Sequence, residues 1–340
     1  MLLTCQAGFE SLLVRELTEL RGVAVLEQGP GWVLANPAPN HAGSSSGTML
    51  DPAFAHLTLR NPVEVRGDSV NALASQIATT FLDSLRGERI EAEWPSIWIG
   101  PQELVGLGRR MSAVEAAFGE LLKKKLSRVA RLATTWLPRP PGGGTVRGAF
   151  VHFVDFGRAF VAREALVHGP RRMADDPLAP SRSFLKVEEA YGVLGREPQI
   201  GETVCDLGAA PGGWSYSAAK RGAHVVAIDN GPLKGGALDH PQIEHLREDA
   251  FRFVPPAGQV FDWLFCDLVE EPHHVMSNVI EPWLAQGWCR HFVINLKLGR
   301  VDAIALLREL QAPGSTLRRK APQARVRHLY HDREEFTVVG

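Results

Sequence analysis

A glycine-rich stretch between two apolar runs is the first place in this sequence where residue types and spacing indicate chemistry. Val204 to Asn230 reads VCDLGAAPGGWSYSAAKRGAHVVAIDN. An apolar run ends at Asp206, a Gly-Ala-Ala-Pro-Gly-Gly turn follows, and a second apolar run ends at Asp229. Such a turn between a strand and a helix commonly holds a cofactor. The stretch therefore predicts a ligand site.

The glycine spacing in this turn does not suit a dinucleotide. The glycines give G-x-x-x-G-G, whereas the dinucleotide fingerprint is G-x-G-x-x-G. Pro211 has no amide N–H, so the loop is ill suited to wrapping a pyrophosphate. No Lys-Ser or Lys-Thr pair follows the turn, which argues against a Walker loop. A ligand without phosphates is favoured. The candidate loop contacts are Gly208, Ala210, Pro211, Gly212, Gly213 and Trp214.

Acidic residues recur about every 20 positions around this turn. Asp206, Asp229 and Asp267 end apolar runs, and Asp249 lies where a third strand would finish. Ligands of open α/β sheets bind at the carboxyl ends of the strands. Carboxylates at that edge fit a nucleoside that carries positive charge, and S-adenosylmethionine, with its sulfonium and amine, is such a ligand. The alternative is that each Asp caps the helix that follows it.

Cysteines and histidines do not predict a metal site. The four cysteines are far apart in the chain and form no C-x-x-C pair, so neither a zinc site nor a disulfide framework is implied. His273, His274, His328 and His331 lie close in sequence in two groups, but no carboxylate or Cys stands at ligand spacing beside them. We expect no metal.

Composition indicates a soluble globular protein of two or three domains, with 340 residues, 45% hydrophobic and 22% charged. No apolar run approaches the roughly 18 residues that a membrane span needs, and no signal peptide is evident, so we expect a cytoplasmic protein. Lys and Arg outnumber Asp and Glu between Gly100 and Ala174, and a second basic cluster lies near the C-terminus. This asymmetry indicates an anionic partner. No protein partner is implied.

Patterning predicts two small α+β units followed by an α/β domain. Residues 1–60 contain a short strand, a helix and two further strands, and HAGSSSG at 41–47 is predicted to be a loop. Residues 61–169 contain an amphipathic helix, a strand, a long basic helix (MSAVEAAFGELLKKKLSRVARL) and a hairpin. Residues 170–180 read as a linker. From 181 to 340, VCDLG, HVVAID, WLFCDL, FVINLK and FTVV alternate with helix-length segments, which is typical of a doubly wound sheet.

DLGAAPGGW resembles motif I of the FtsJ-type class I methyltransferases, which methylate the 2′-hydroxyl of RNA riboses. That family carries a Lys-Asp-Lys-Glu tetrad, and the resemblance places it at Lys186, Asp267, Lys297 and one of the pair Glu334–Glu335. Glu335 is preferred because the FTVV that follows best matches the family's strand. The two glutamates alternate across a strand, so only one can face the site.

SRSFLKVEEA, DNGPL, LREDAF, QGWCR, NLKL and LYHDREE are similar to the bacterial RlmM family. The resemblance implies a 23S rRNA 2′-O-ribose methyltransferase that acts on a cytidine of the peptidyl-transferase loop. It also implies a ferredoxin-like region at 1–60, a THUMP RNA-binding domain at 61–169 and a Rossmann-like catalytic domain at 181–340. Ser183 would touch the methionine end of the cofactor.

The tetrad residues have expected roles in methyl transfer. Lys297 is the candidate base, with its pKa lowered by Lys186. Asp267 would orient Lys297, and Glu335 would hold the tetrad from the far side. Two other functions are compatible with parts of the sequence: an RNA-binding ribosome-assembly factor with an inactive methyltransferase fold, and an NAD-dependent oxidoreductase. The intact tetrad argues against the first, and the glycine spacing and Pro211 argue against the second.

Overall fold

The structure, a computed structural model, describes residues 1–36 and 50–340. The chain forms two compact units. Unit 1 consists of Met1–Asp51 and Ala55–His168, and unit 2 of Pro52–Phe54 and Gly169–Gly340. The predicted loop at 41–47 lies outside the described residues. None of the helices in the described ranges is long and apolar enough to cross a membrane.

Unit 1 is built on a sheet that has nine strands within the described residues. The strands are β1 (Leu2–Thr4), β2 (Val25–Gly29), β3 (Trp32–Ala35), β4 (Leu57–Arg60), β5 (Val63–Arg66), β6 (Trp94–Ile99), β7 (Ala133–Thr134), β8 (Gly144–Phe153) and β9 (Arg158–Val167). Their order is β2-β3-β1-β4-β9-β8-β6-β7, with β5 paired to β9. The helices are α1 (Glu10–Arg15, continued by a π-helical turn at Glu16–Leu20), α2 (Val70–Ser84), α3 (Leu107–Lys125) and α4 (Ser127–Arg131).

The predicted division of the N-terminal half at residue 60 is not a division between compact units. Strand β4 pairs with β1 on one side and with β9 on the other, so 1–60 and 61–169 share one sheet.

The basic helix that the sequence predicts as one continuous element is interrupted in the structure. It breaks at Leu126, where φ is −142° and ψ is 69°, and resumes as α4.

The α2 helix of unit 1 shows why these residues fold as they do. Ser69 caps its start, because its side-chain oxygen accepts a hydrogen bond from the N–H of Ala72 at 3.1 Å. Leu73, Ile77 and Phe81, at helical spacing, are buried in the same cluster as residues of α3. Helix packing therefore covers one face of the sheet and leaves Lys123, Lys124 and Lys125 at the end of α3 exposed.

Unit 2 carries a seven-stranded sheet with the order β12-β11-β10-β13-β14-β16-β15. The strands are β10 (Thr203–Leu207), β11 (His224–Ile228), β12 (Ile243–Leu246), β13 (Phe261–Cys266), β14 (Cys289–Lys297), β15 (Arg325–Arg327) and β16 (Glu335–Val339). The helices are α5 (Phe184–Leu194), α6 (Gly213–Ala219), α7 (Pro272–Val275, followed by a π-helical turn at Met276–Ile280), α8 (Glu281–Gln286), α9 (Ala303–Gln311) and α10 (Thr316–Lys320), and a 3₁₀ turn spans Gly235–Ala237.

The predicted α/β sheet is confirmed in unit 2. Strands β10 to β14 are parallel, β16 runs antiparallel to β14, and the edge strand β15 runs antiparallel to β16. Strand β10 lies between β11 and β13, so the chain reverses its direction of winding there. Ligands of such sheets bind at this switch point, outside the carboxyl ends of the strands.

The predicted linker, residues 170–180, belongs to unit 2. It contains no helix or strand, yet its backbone is held by hydrogen bonds. The N–H of Arg171 donates to Glu189 at 2.7 Å, and the N–H of Met173 donates to Nε2 of His331 at 2.9 Å. Unit 2 therefore begins near Gly169 and includes this segment.

Candidate active site

The four tetrad side chains meet at the carboxyl edge of the sheet in unit 2. Lys297 ends β14, and Glu335 begins β16 directly opposite it. Asp267 follows β13, and Lys186 lies in the first turn of α5. Nζ of Lys297 donates to Oδ1 of Asp267 at 2.5 Å and to Oε2 of Glu335 at 2.6 Å. The other oxygen of Glu335 forms an ion pair with Lys186. Adjacent Glu334, by contrast, is exposed.

The charge state of Lys297 differs from the prediction. Burial alone would lower its pKa, but the Asp267 and Glu335 carboxylates raise the pKa to about 12. Glu335 bridges the two lysines, because each of its carboxylate oxygens bonds to one of them. Burial opposes the ionisation of Glu335, yet Lys297 and Lys186 hold the pKa of this carboxyl below its usual value. The predicted depressed pKa of Lys297 is therefore wrong for this arrangement.

Two supporting residues were missed by sequence reasoning. Asn295 Oδ1 is a third acceptor for Lys297 Nζ, at 2.5 Å. Its position two residues earlier on β14 places it on the same face as Lys297, which is the signal that could have found it. Glu189 on α5 accepts hydrogen bonds from the N–H groups of Tyr330 at 3.0 Å and His331 at 3.1 Å. It thereby holds the segment before β16 against the helix that carries Lys186.

Asp206 supports the glycine loop from within the fold. Its side chain is 1% exposed, and its Oδ2 accepts a hydrogen bond from Ser215 Oγ at 2.6 Å. Burial raises its pKa to about 7. Because Ser215 lies in α6, Asp206 ties the end of β10 to that helix, and its contact with the cofactor stays a prediction.

The glycines of the loop are required by its shape. Gly208 and Gly212 have φ of +80° and +106°, a region that disfavours other residues. A Cβ on Gly212 would lie 2.5 Å from the Cβ of Ala237, and one on Gly213 would lie 2.9 Å from Ser181 Oγ. The loop also contains a cis peptide bond between Ala210 and Pro211.

Trp214, at the start of α6, contacts Ser183, which directly precedes α5. The indole N–H of Trp214 donates to the carbonyl oxygen of Ser183 at 2.9 Å, and the ring packs edge-on against Phe265. With 2% exposure, Trp214 packs in the core of unit 2, and its contact with the cofactor stays a prediction. Ser183 Oγ lies 2.7 Å from Ser181 Oγ and remains partly exposed, so it stays a candidate contact.

Asp229 joins the loop to the next strand. Its Oδ2 accepts from the N–H of Ala210 at 3.0 Å, and its Oδ1 accepts from the N–H of Gly231 at 2.7 Å. A carboxylate offers about four acceptor positions, so each oxygen keeps capacity for a ribose hydroxyl. Asp249 lies farther along the same edge, after β12, with 48% of its side chain exposed and its Oδ1 bonded to the N–H of Phe251.

These residues fit S-adenosylmethionine. A loop that needs glycine at positions 208 and 212 lies beside the partly exposed carboxylates of Asp229 and Asp267. These carboxylates can accept hydrogen bonds from hydroxyl groups and balance positive charge. Among the described residues, no group of three or more His, Cys, Asp or Glu is arranged to hold a metal ion.

Comparison with known proteins gives a consistent result. The family model for FtsJ-like methyltransferase matches residues 179–303. "Ribosomal RNA large subunit methyltransferase M" of Laribacter hongkongensis (strain HLHK9) is 33% identical over 362 residues, covering 99% of this chain and 95% of the relative. The protein of the same name from Xanthomonas oryzae pv. oryzae (strain MAFF 311018) is 32% identical over 367 residues, covering 100% and 98%.

Proposed function

The chain belongs to the ribosomal RNA large subunit methyltransferase M family, and from that premise we propose that it methylates the ribose 2′-hydroxyl of one cytidine in the peptidyl-transferase loop of 23S rRNA. It is a methyltransferase that uses S-adenosylmethionine, with rRNA as its substrate. The cluster of Lys186, Asp267, Lys297 and Glu335 beside the glycine loop is the observation that carries the choice of a ribose hydroxyl as acceptor.

The protein must align the acceptor and remove its proton. S-adenosylmethionine, when bound, supplies a methyl group on a sulfonium, which is a good leaving group. The glycine loop and Asp229 would hold the nucleoside part of the cofactor, and Lys297 ends β14 at the same edge of the sheet. Alignment of this kind can contribute roughly 7–11 kcal/mol.

The proton of the 2′-hydroxyl passes to the cluster around Lys297. With a pKa of about 12, Lys297 is an ammonium and must give up one proton before it accepts another. Asp267 receives that proton first. The neutral amine then turns about its Cε–Nζ bond so that its lone pair faces the hydroxyl and accepts the hydroxyl proton, and Asp267 ends as the acid. Glu335 is the poorer acceptor, because two lysines stabilise its charge. RNA that covers the site expels water, which favours the neutral Lys297–Asp267 pair over the charged pair.

Unit 1 offers a surface for the phosphates and bases of rRNA. Lys123, Lys124 and Lys125 in the last turn of α3 are exposed, as is Arg128 of α4. Trp136, shortly after β7, is 67% exposed. Lysine and arginine bind phosphates, and an exposed aromatic ring can stack on an unpaired base. We propose that unit 1, which contains the regions that resemble ferredoxin-like and THUMP domains, holds the substrate RNA. The proposal places the protein in the cytoplasm.

Mapping of 2′-O-methylation in rRNA tests the function. We expect that a strain without the gene lacks methylation at one cytidine of the peptidyl-transferase loop. The wild-type gene should restore it, and a Lys297→Ala gene should not. Unchanged methylation in the deletion strain, or restoration by Lys297→Ala, would favour the RNA-binding factor with an inactive fold.

A further inference from the structure

Lys297 has a neutral third acceptor that the tetrad does not include. Nζ of Lys297 donates to Asn295 Oδ1 at 2.5 Å, in addition to the carboxylates of Asp267 and Glu335. An ammonium has three N–H donors, so these three acceptors use all of them. Asn295 is fully buried, which is unusual for an amide unless its own groups are bonded.

The amide of Asn295 is held in one orientation from behind. Its Nδ2 donates to Asp332 Oδ1 at 3.3 Å and to Thr337 Oγ1 at 3.2 Å. Thr337 is the direct partner of Asn295 across the β14–β16 pair. A flipped amide would point its NH₂ group at the Lys297 ammonium and its oxygen at the Asp332 carboxylate, and both contacts would be repulsive.

Asp332 is itself fixed within the fold. It is 2% exposed, and its Oδ2 accepts from the N–H of Leu329 at 2.9 Å and from Thr337 Oγ1 at 3.0 Å. A buried carboxylate that accepts several hydrogen bonds is a rigid anchor. No contact of Asp332 with Lys297 is required for it to influence the lysine, because Asn295 connects the two.

We propose that Asp332, Thr337 and Asn295 form a positioning chain that fixes Nζ of Lys297 between Asp267 and Glu335. The proposal rests on the proposed function, since it concerns the lysine that handles the hydroxyl proton. Without Asn295, both remaining acceptors are carboxylates, and the ammonium is free to shift toward either of them. A shift of about 1 Å can cost on the order of 100-fold in rate. Asn295 and Asp332 are positioning residues in this scheme.

A double-mutant cycle on the full-length protein tests the positioning chain. We expect Asn295→Ala to lower kcat roughly 10- to 100-fold, with KM for RNA and Kd for S-adenosylmethionine unchanged. Asp332→Asn should lower kcat as well, because an amide cannot replace the carboxylate toward Leu329, Thr337 and Asn295 together. In the double variant, the loss should equal that of Asn295→Ala alone, because Asp332 acts through Asn295. Exposed Asn278→Ala is the matched control and should leave kcat unchanged.

Three results would contradict the proposed positioning chain. They are near-normal kcat in Asn295→Ala, multiplicative losses of kcat in the double variant, or a rise in KM with kcat unchanged in Asn295→Ala. Thermal unfolding and cofactor binding show whether each variant is folded, and Asn295→Ser replaces the alanine variant if the latter is not. The activity of the wild-type protein distinguishes a failure of this inference from a failure of the proposed function. If wild-type protein transfers no methyl group to rRNA, the function itself is wrong, whereas an active wild type with an equally active Asn295→Ala variant contradicts only the chain.

Discussion

Lys297 and Glu335 lie directly opposite each other across the antiparallel β14–β16 pair, with Nζ and Oε2 2.6 Å apart. This register decides which glutamate of the pair faces the site, since a slip of one residue would place Glu334 there instead. It also keeps Lys297 charged, because Glu335 and Asp267 together raise its pKa. The chemistry of the site therefore depends on how a carboxylate takes a proton from a lysine that starts as an ammonium.

Lys297→Arg should lower kcat by about 10²–10⁴-fold, the range typical of lost acid–base catalysis. A guanidinium keeps its proton at any working pH, so it cannot pass one to Asp267. Affinity for S-adenosylmethionine should change little. Methyl transfer to rRNA and calorimetry give the two values, and exposed Lys320→Arg is the control. Near-normal turnover in Lys297→Arg would mean that only its positive charge matters.

The rate of methyl transfer should stay constant between about pH 9 and pH 10, above the pKa of about 8 to which burial raises the Glu189 carboxyl. Lys297, with its pKa raised to about 12, keeps its proton throughout this window, and Glu335, with its pKa lowered, stays ionised. Asp206 and Asp332, whose pKa values burial raises to about 7, are also ionised there. Short incubations that measure kcat against pH check this. A rate that rises about tenfold per pH unit would instead indicate a lysine base that must be neutral before substrate binds.

Asp229→Ala should weaken binding of S-adenosylmethionine by about 1–3 kcal/mol. The substitution removes acceptors for ribose hydroxyls and leaves the N–H groups of Ala210 and Gly231 without their present partner. Calorimetry measures the change, with Glu244→Ala, an exposed position on β12, as the control. Unchanged affinity in Asp229→Ala would remove Asp229 from the cofactor site.

Trp136→Ala should weaken binding of a 23S rRNA fragment by about 1–3 kcal/mol, as expected for a lost stacking contact. The salt dependence of its affinity should match that of wild type. Lys124→Ala should instead reduce the slope of log K against log salt, because it removes a phosphate contact. Filter binding at several salt concentrations separates the two effects. Phe156→Ala, which removes another exposed aromatic ring of unit 1, is the control, and normal RNA affinity in both test variants would exclude this surface.

A fragment that begins at Pro180 is a poor means of separating the two units. Phe54 belongs to unit 2, where its ring packs against His328 and Phe336 at centroid distances of 5.5 and 5.2 Å. Residues 170–173 are also bonded to that unit. Substitutions in the full chain therefore test the roles of the units more cleanly than truncation does.

The sequence by itself determined the class of the catalytic unit and most of its site. Buried parallel strands read as apolar runs, and the acids and lysines that follow them are local in sequence, so the carboxyl edge and its candidates could be inferred before the sheet was seen. The choice of Glu335 rested on the residues after it, and the β14–β16 register brings that side chain to Lys297.

Only the tertiary structure decided the charge of Lys297, the burial of Asp206 and Trp214, and the part played by Asn295. Each depends on groups that are distant in sequence and brought together by the sheet: Lys297 with Asp267 and Glu335, and Asn295 with Asp332 and Thr337. A pKa is set by the desolvation and charges around a group in three dimensions. Local patterns predict which strands exist and where they end, but the side chains that meet across strands follow from pairing and register, which no local pattern contains.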